Sequence, residues 1–150
     1  MALVSARQSV NFTAMNSTAA SRFPLVAAGI FGAAGVALGA FGAHALRATL
    51  VELGTRDRWE TAVMYQLVHT LALLGAAAWV RTAGSVAARR ITWAARFWVA
   101  GIILFSGSLY FMALTTGLPT WFKGAIPPIG GTAFVIGWLC VLGAALAREE

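Results

Sequence analysis

His44 and His69 are the only two histidines in the chain, and imidazole is the side chain best suited to hold a haem or metal or to move a proton near neutral pH. On a helix, Tyr65 and Gln66 precede His69 by four and three residues, so all three are expected to share one face. Two imidazoles suffice as the axial pair of a haem, whereas zinc asks for four donors. Their depths count against a shared group: His69 is expected about 12 Å further into the chain's apolar layer than His44, at 1.5 Å per helical residue. Proton or ion transport usually employs a carboxylate within the apolar layer. All five acids (Glu52, Asp57, Glu60, Glu149 and Glu150) fall outside the apolar stretches or at their edges. There is no phosphate loop, no paired-histidine ligand motif, and no Ser or Cys with a recognisable base and orienting partner. No catalytic residue, cofactor site or metal site is therefore assigned, and the protein is expected not to be an enzyme.

The elements that must position His44, Tyr65, Gln66 and His69 are four long apolar stretches, at about 23–45, 59–80, 91–115 and 128–147. A helix needs about 20 apolar residues to cross a hydrocarbon layer of roughly 30 Å, and four such stretches in 150 residues leave no room for a separate soluble domain. Apolar residues make up 59% of the chain and charged residues 11%, against roughly 25% charged in an average soluble domain. The runs are continuous and lack the two-residue alternation of a membrane barrel. The expected fold is all-α: an integral membrane four-helix bundle surrounded by lipid. The net charge of +6 comes from basic residues scattered between the spans, as orientation signals and lipid contacts rather than a nucleic-acid surface. Cys140 is the single cysteine and has no partner within the chain.

In lipid, three polar side chains on one helix face turn into the bundle, because exposing them to hydrocarbon is costly. They mark a binding candidate, with packing as the plainer alternative: interhelical hydrogen bonds worth about 0.6 kcal/mol each. Ser106, Ser108 and Tyr110 in the third span are expected to be helix contacts. Gly32, Gly35 and Gly39, with Ala28 and Ala43, form a small-residue ridge on the first span that lets a neighbouring helix approach closely. Trp59, Trp79, Trp93 and Trp121 fall near span ends, where indoles favour the interface, while Trp138 falls mid-span and needs a partner for its N–H.

Leu46, Leu50 and Leu53 predict a short amphipathic interfacial helix in the first loop, stopped by Gly54. Asp57 and Glu60 have capping-box spacing at the start of the second span. Pro127-Pro128 is expected to open the fourth span. Residues 1–22 are acid-free and rich in Ser, Thr and Asn, and are expected to form a disordered tail, with Met15 an alternative start. Seven Lys and Arg residues fall on the side of the N-tail, second loop and C-tail, and four on the other. That excess predicts both termini in the cytoplasm.

Four segments taken together are more specific than any one: Gly39-Ala40-Phe41-Gly42-Ala43-His44-Ala45-Leu46; Trp59 to Gln66 followed by His69; Leu104-Phe105-Ser106-Gly107-Ser108-Leu109-Tyr110; and Pro128-Ile129-Gly130-Gly131 followed by Gly137-Trp138. In this order the chain resembles a family of small four-helix bacterial inner-membrane proteins catalogued as domain of unknown function 423. The resemblance implies the same four spans and a cytoplasmic-membrane location, and brings no activity or site residue. The function expected is that of an accessory or assembly component, with the bilayer and another membrane protein or a second copy as partners. The alternatives are an oligomeric small-molecule or ion conduit, or a haem- or metal-binding protein using His44 and His69.

Overall fold

The computed structural model describes residues 2–147, with side chains from Arg22 onward. Helix α1 is Ala2–Ala43, α2 Arg47–Glu52, α3 Arg56–Trp79, α4 Ser85–Gly101, α5 Gly107–Leu114 and α6 Thr120–Ala145. A single π-helical stretch, Ile102–Ser106, joins α4 to α5 without breaking the rod. Among the described residues, four segments are long and apolar enough to cross a bilayer: Arg22–Ala43, Arg56–Trp79, Ser85–Leu114 and Thr120–Ala145, with mean hydropathy between 1.4 and 1.9. This is the all-α, four-span architecture expected, with α2 in the first loop. The tail expected over 1–22 falls, up to residue 21, on residues whose side chains lie outside the described set; the backbone of α1 is helical back to Ala2.

Helix α1 packs along α3, and α4 packs along α6; α3 also meets α4, the π stretch and α5, which brings the two pairs together. Most of the interior is small. Ala27, Ala28, Ala76, Ala87, Ala94, Ala95 and Ala144 surround Leu73, Ile91, Trp98, Ile102 and Phe134. Small residues bring the backbones close, and a few large side chains fill what is left, which is how helices gain packing in a solvent as apolar as their own surfaces. A second cluster, Leu50, Trp59 and Ala113, closes the end near the first loop.

The first loop folds as its leucines imply. Leu50 is 1% exposed and Leu46 packs beside it, while Leu53 stays on the surface. Gly54 ends α2 at φ +62°, a conformation glycine adopts without strain, and the amide of Thr55 donates to Leu50 O at 2.9 Å. The capping box does not form. Thr55 occupies the cap position and turns its hydroxyl to Ala113 O at 2.8 Å, and Glu60 accepts from Arg56 Nε at 2.7 Å on the surface. Helix α3 starts at Arg56, so Asp57, the expected cap, lies inside its first turn, and Thr55 at φ −117°, ψ 10° lacks the extended backbone a side-chain cap uses. Arg58 Nη1 donates to Met112 O at 3.1 Å, so the end of α5 is held twice by the start of α3.

Two helix starts precede the apolar runs. Helix α4 begins at Ser85, where Ala87 and Ile91 already face inward while Arg89 and Arg90 stay outside. Arg90 reaches across to the carbonyl of Gly143 near the end of α6. Helix α6 begins at Thr120, after Pro119, and continues through Pro127 and Pro128 instead of starting there. Interior prolines remove amide donors for carbonyls one turn earlier, a cost that is bearable in a membrane helix where water or neighbouring groups serve those carbonyls.

Candidate functional site

The four residues singled out from the sequence do not converge. Neighbouring helical residues point about 100° apart, and that angle divides the expected polar face. Gln66 turns toward α1 and α5, and His69 toward α6. Tyr65 is 37% exposed on the outer surface, its ring tilted against Phe105 with centroids 4.6 Å apart. His44 lies in the exposed turn after α1. The α1–α3 register brings Thr70 beside Gly32, so His69 lies near the level of Gly32 and roughly 18 Å along the bundle from His44. The two imidazoles are therefore not placed to share a haem or a metal ion. Among the described residues, no three His, Cys, Asp or Glu side chains come together as a metal site.

Gln66 is 3% exposed and connects three spans. Its Nε2 donates to Phe31 O on α1 at 2.8 Å, and its Oε1 accepts from the Tyr110 hydroxyl on α5 at 3.0 Å. Two turns earlier on the same helix face, Trp59 Nε1 donates to Leu38 O at 3.0 Å. The donors are seven residues apart and so are their acceptors, so the two bonds set one antiparallel register. The small-residue ridge makes this reach possible. A Cβ on Gly35 would meet Leu67 at 2.8 Å and Gln66 at 3.2 Å, one on Gly39 would touch Val63 at 3.4 Å, and one on Gly32 would lie 3.3 Å from Thr70. The ridge thus faces α3 of the same chain. Trp59 was expected at the membrane interface and is instead 3% exposed, wedged against Gly42 and edge-on to Tyr110. Its N–H finds an acceptor inside the bundle, which removes the reason to stay at the interface.

His69 is the centre of the other half. Its Nδ1 is 2.8 Å from Tyr65 O, and its Nε2 is 3.3 Å from Trp138 Nε1. A carbonyl only accepts and an indole N–H only donates, so the imidazole is neutral with its proton on Nδ1. The ring stacks on Phe134 with centroids 3.6 Å apart and planes 13° from parallel. Trp138, though 47% exposed, thereby obtains the partner its mid-span position requires. Phe134 in turn packs against Gly101, and Trp98 against Gly137, where an added Cβ would fall 2.4–2.5 Å from ring atoms. At Gly130 the backbones themselves meet: an added Cβ would lie 2.4 Å from the amide nitrogen of Phe105 in the π stretch. Wider π turns often mark functional or strained places in helices; here the stretch seats α6 against the third span. The buried Ser106 Oγ and Trp98 Nε1 have no hydrogen-bond partner.

Sequence reasoning missed the packing roles of Trp98, Gly101, Phe105 and Phe134, whereas Gly130 is legible as a small residue that permits close packing. The signal for Phe134 was present in the spacing of Gly130, Phe134 and Gly137 on one face of α6. Gly101 and Trp98 required knowledge of which helix lies opposite. Chemically, the site binds helices to one another. Both nitrogens of His69 are engaged, and each end of the Gln66 amide makes one bond to another span.

The fold and its internal polar bonding define a polytopic helical membrane bundle. The family described as "Protein of unknown function (DUF423)" matches residues 38–131. The chain is 43% identical over 137 residues to the UPF0382 inner membrane protein YgdD of Escherichia coli (strain K12), covering 87% of this chain and 94% of that protein. It is 41% identical to the UPF0382 membrane protein SERP0230 of Staphylococcus epidermidis, covering 74% and 84% respectively, and 38% identical to the UPF0382 membrane protein YwdK of Bacillus subtilis (strain 168), covering 74% and 85%. The chain belongs to this DUF423/UPF0382 family of membrane proteins of unknown function. No solved structure matches it.

Proposed function

We propose that the protein is a non-enzymatic accessory or assembly component of a larger membrane complex, resident in a bacterial inner membrane with both termini in the cytoplasm. The observation that carries this reading is how the intramembrane polar groups are used. Gln66, His69, Tyr110, Trp59 and Trp138 spend their hydrogen bonds between spans of one chain. An enzyme or a conduit must instead present such groups to substrate or water. A conduit formed between copies would need the Gln66–His69 region at the chain's surface, and both residues are buried within it.

The outer faces support a role in docking. Helices α1 and α6 are the least enclosed spans. They expose Leu25, Val26, Ile30, Val36 and Phe41 on one side and Ile129, Val135, Leu139 and Leu142 on the other. Lipid or a partner helix satisfies these surfaces equally well in hydropathy, so packing shape would select a partner. The name of the Escherichia coli relative supports an inner-membrane location, and the Lys and Arg distribution supports the orientation.

Purification in mild detergent followed by mass spectrometry tests the role. A stoichiometric membrane partner, retained across several lipid-like conditions, is expected. A partner-free monomer in all of them counts decisively against the proposal. Reporter fusions at each terminus test the orientation, with activity expected only for the cytoplasmic reporter at both ends.

A further inference from the structure

We propose that the cleft between the C-terminal end of α1, α2 and the first turns of α3 is a binding site for an anionic glycerophospholipid, one acyl chain lying in the cleft and the phosphate on Arg47. The cleft holds about 490 Å³, within the usual range for small-molecule sites. Its chemistry is divided along the bundle axis. Gly39, Gly42, Val63 and Met64 line the part within the apolar layer, and Arg47, Arg56 and Glu60 stand at the end next to the first loop. Met64 lies eight residues from Arg56, so roughly 12 Å separates the apolar end from the charged end. Met64 is itself exposed on the outer face of α3, so a chain already in the bilayer has a lateral way in. An amphiphile oriented as lipids are in a bilayer matches this division; a soluble anion would leave the apolar part empty.

The charge at the rim selects the headgroup. Arg56 and Glu60 are paired at 2.7 Å and cancel. The Arg47 guanidinium has no hydrogen-bond or ion-pair partner among the described residues, and the residue is exposed. The residual charge is therefore one free guanidinium, whose planar fork matches the oxygens of a phosphate. The inference does not depend on the accessory role proposed above, because it concerns a different surface from the Gln66–His69 centre.

The test is a native mass-spectrometric titration of the intact, detergent-purified protein with phosphatidylglycerol and with phosphatidylcholine of the same acyl chains. Both headgroups carry a phosphate, but the choline cation of phosphatidylcholine opposes Arg47 and offsets that charge, so phosphatidylglycerol is expected to bind roughly tenfold tighter, the scale of one charge-assisted contact. Arg47→Gln should remove that preference, and Arg81→Gln, at the far end of the bundle, should keep it. Ala43→Phe fills the exposed side of the cleft and should weaken both lipids. Equal binding of the two lipids by the native chain, or an intact preference in Arg47→Gln, overturns the assignment. So does displacement of phosphatidylglycerol by millimolar inorganic phosphate, which would make the site one for a soluble anion.

Discussion

Alanine at position 130 is expected to destabilise the bundle more than alanine at any other glycine in the spans. The added methyl would lie 2.4 Å from Phe105 N and 2.8 Å from Leu104 C and Phe105 Cα. All three atoms belong to the backbone, so no rotamer change makes room. Carbon atoms pack at about 3.5–4.0 Å, so α6 must withdraw from the third span by about 1 Å, a gap that forfeits a quarter to a half of each contact's attraction. Phe134 and Gly137 lie one and two turns along the same face, packed against Gly101 and Trp98, and would lose contact together. Overpacking usually costs about 1–3 kcal/mol, and the rigidity of the obstacle puts Gly130→Ala near 3 kcal/mol, about a hundredfold in the folding constant. Reversible SDS titration in mixed micelles, followed by tryptophan emission, measures the difference. Gly29→Ala and Gly75→Ala, with nothing within 4 Å of the new methyl, should be neutral to about 1 kcal/mol more stable than the native chain, because alanine is the better helix former. Gly101→Ala and Gly137→Ala should fall between, because they press mainly on rings that can tilt. A Gly130→Ala midpoint equal to that of Gly29→Ala would refute the close backbone approach.

Three further outcomes follow from the polar contacts. Gln66→Leu loses the bonds to Phe31 O and from Tyr110 and should cost about 1–2 kcal/mol; Tyr110→Phe should cost about 0.6 kcal/mol. The double variant should be less destabilised than the sum of the two, and strict additivity in the same titration would break the proposed link. Nitrogen-15 spectra of histidine-labelled protein should show His69 with a protonated Nδ1 and a bare Nε2 coupled to the Trp138 indole; a proton on Nε2 would contradict the hydrogen-bond pattern. Arg56→Ala breaks an exposed pair one helical turn apart and should shift stability by no more than about 0.5 kcal/mol, so a larger loss would reveal a structural role at the cleft rim that the contacts do not contain.

Much of the architecture was legible because lipid imposes a one-dimensional rule. A segment either is or is not apolar over the length of a crossing, and backbone bonding inside hydrocarbon leaves the helix as the form such segments take. The first-loop helix was legible for a similar local reason: Leu46 and Leu50 recur at helical spacing before Gly54. Local signals failed where the helix start shifted or a distant group competed. The capping-box spacing of Asp57 and Glu60 failed because α3 starts at Arg56, which puts Asp57 inside its first turn, and Trp59 moved inside because Leu38 offered a carbonyl. The polar face of Tyr65, Gln66 and His69 was half legible: residue types told that the segment must turn inward, and nothing in one helix told which neighbours would receive each side chain.

The amino-acid order by itself determined four apolar helices, a short surface helix, and a small-residue edge on the first span, since those depend on composition and on spacing along one segment. Only the tertiary structure decided that this edge meets α3, that Gln66 and His69 serve different helices, and that His44 stands apart from both. Those outcomes depend on the crossing of separate helices, where one methyl at Gly130 or one carbonyl at Phe31 settles the fit. Such contacts join positions tens of residues apart, and spacing along one helix marks the face that packs without naming the helix it meets.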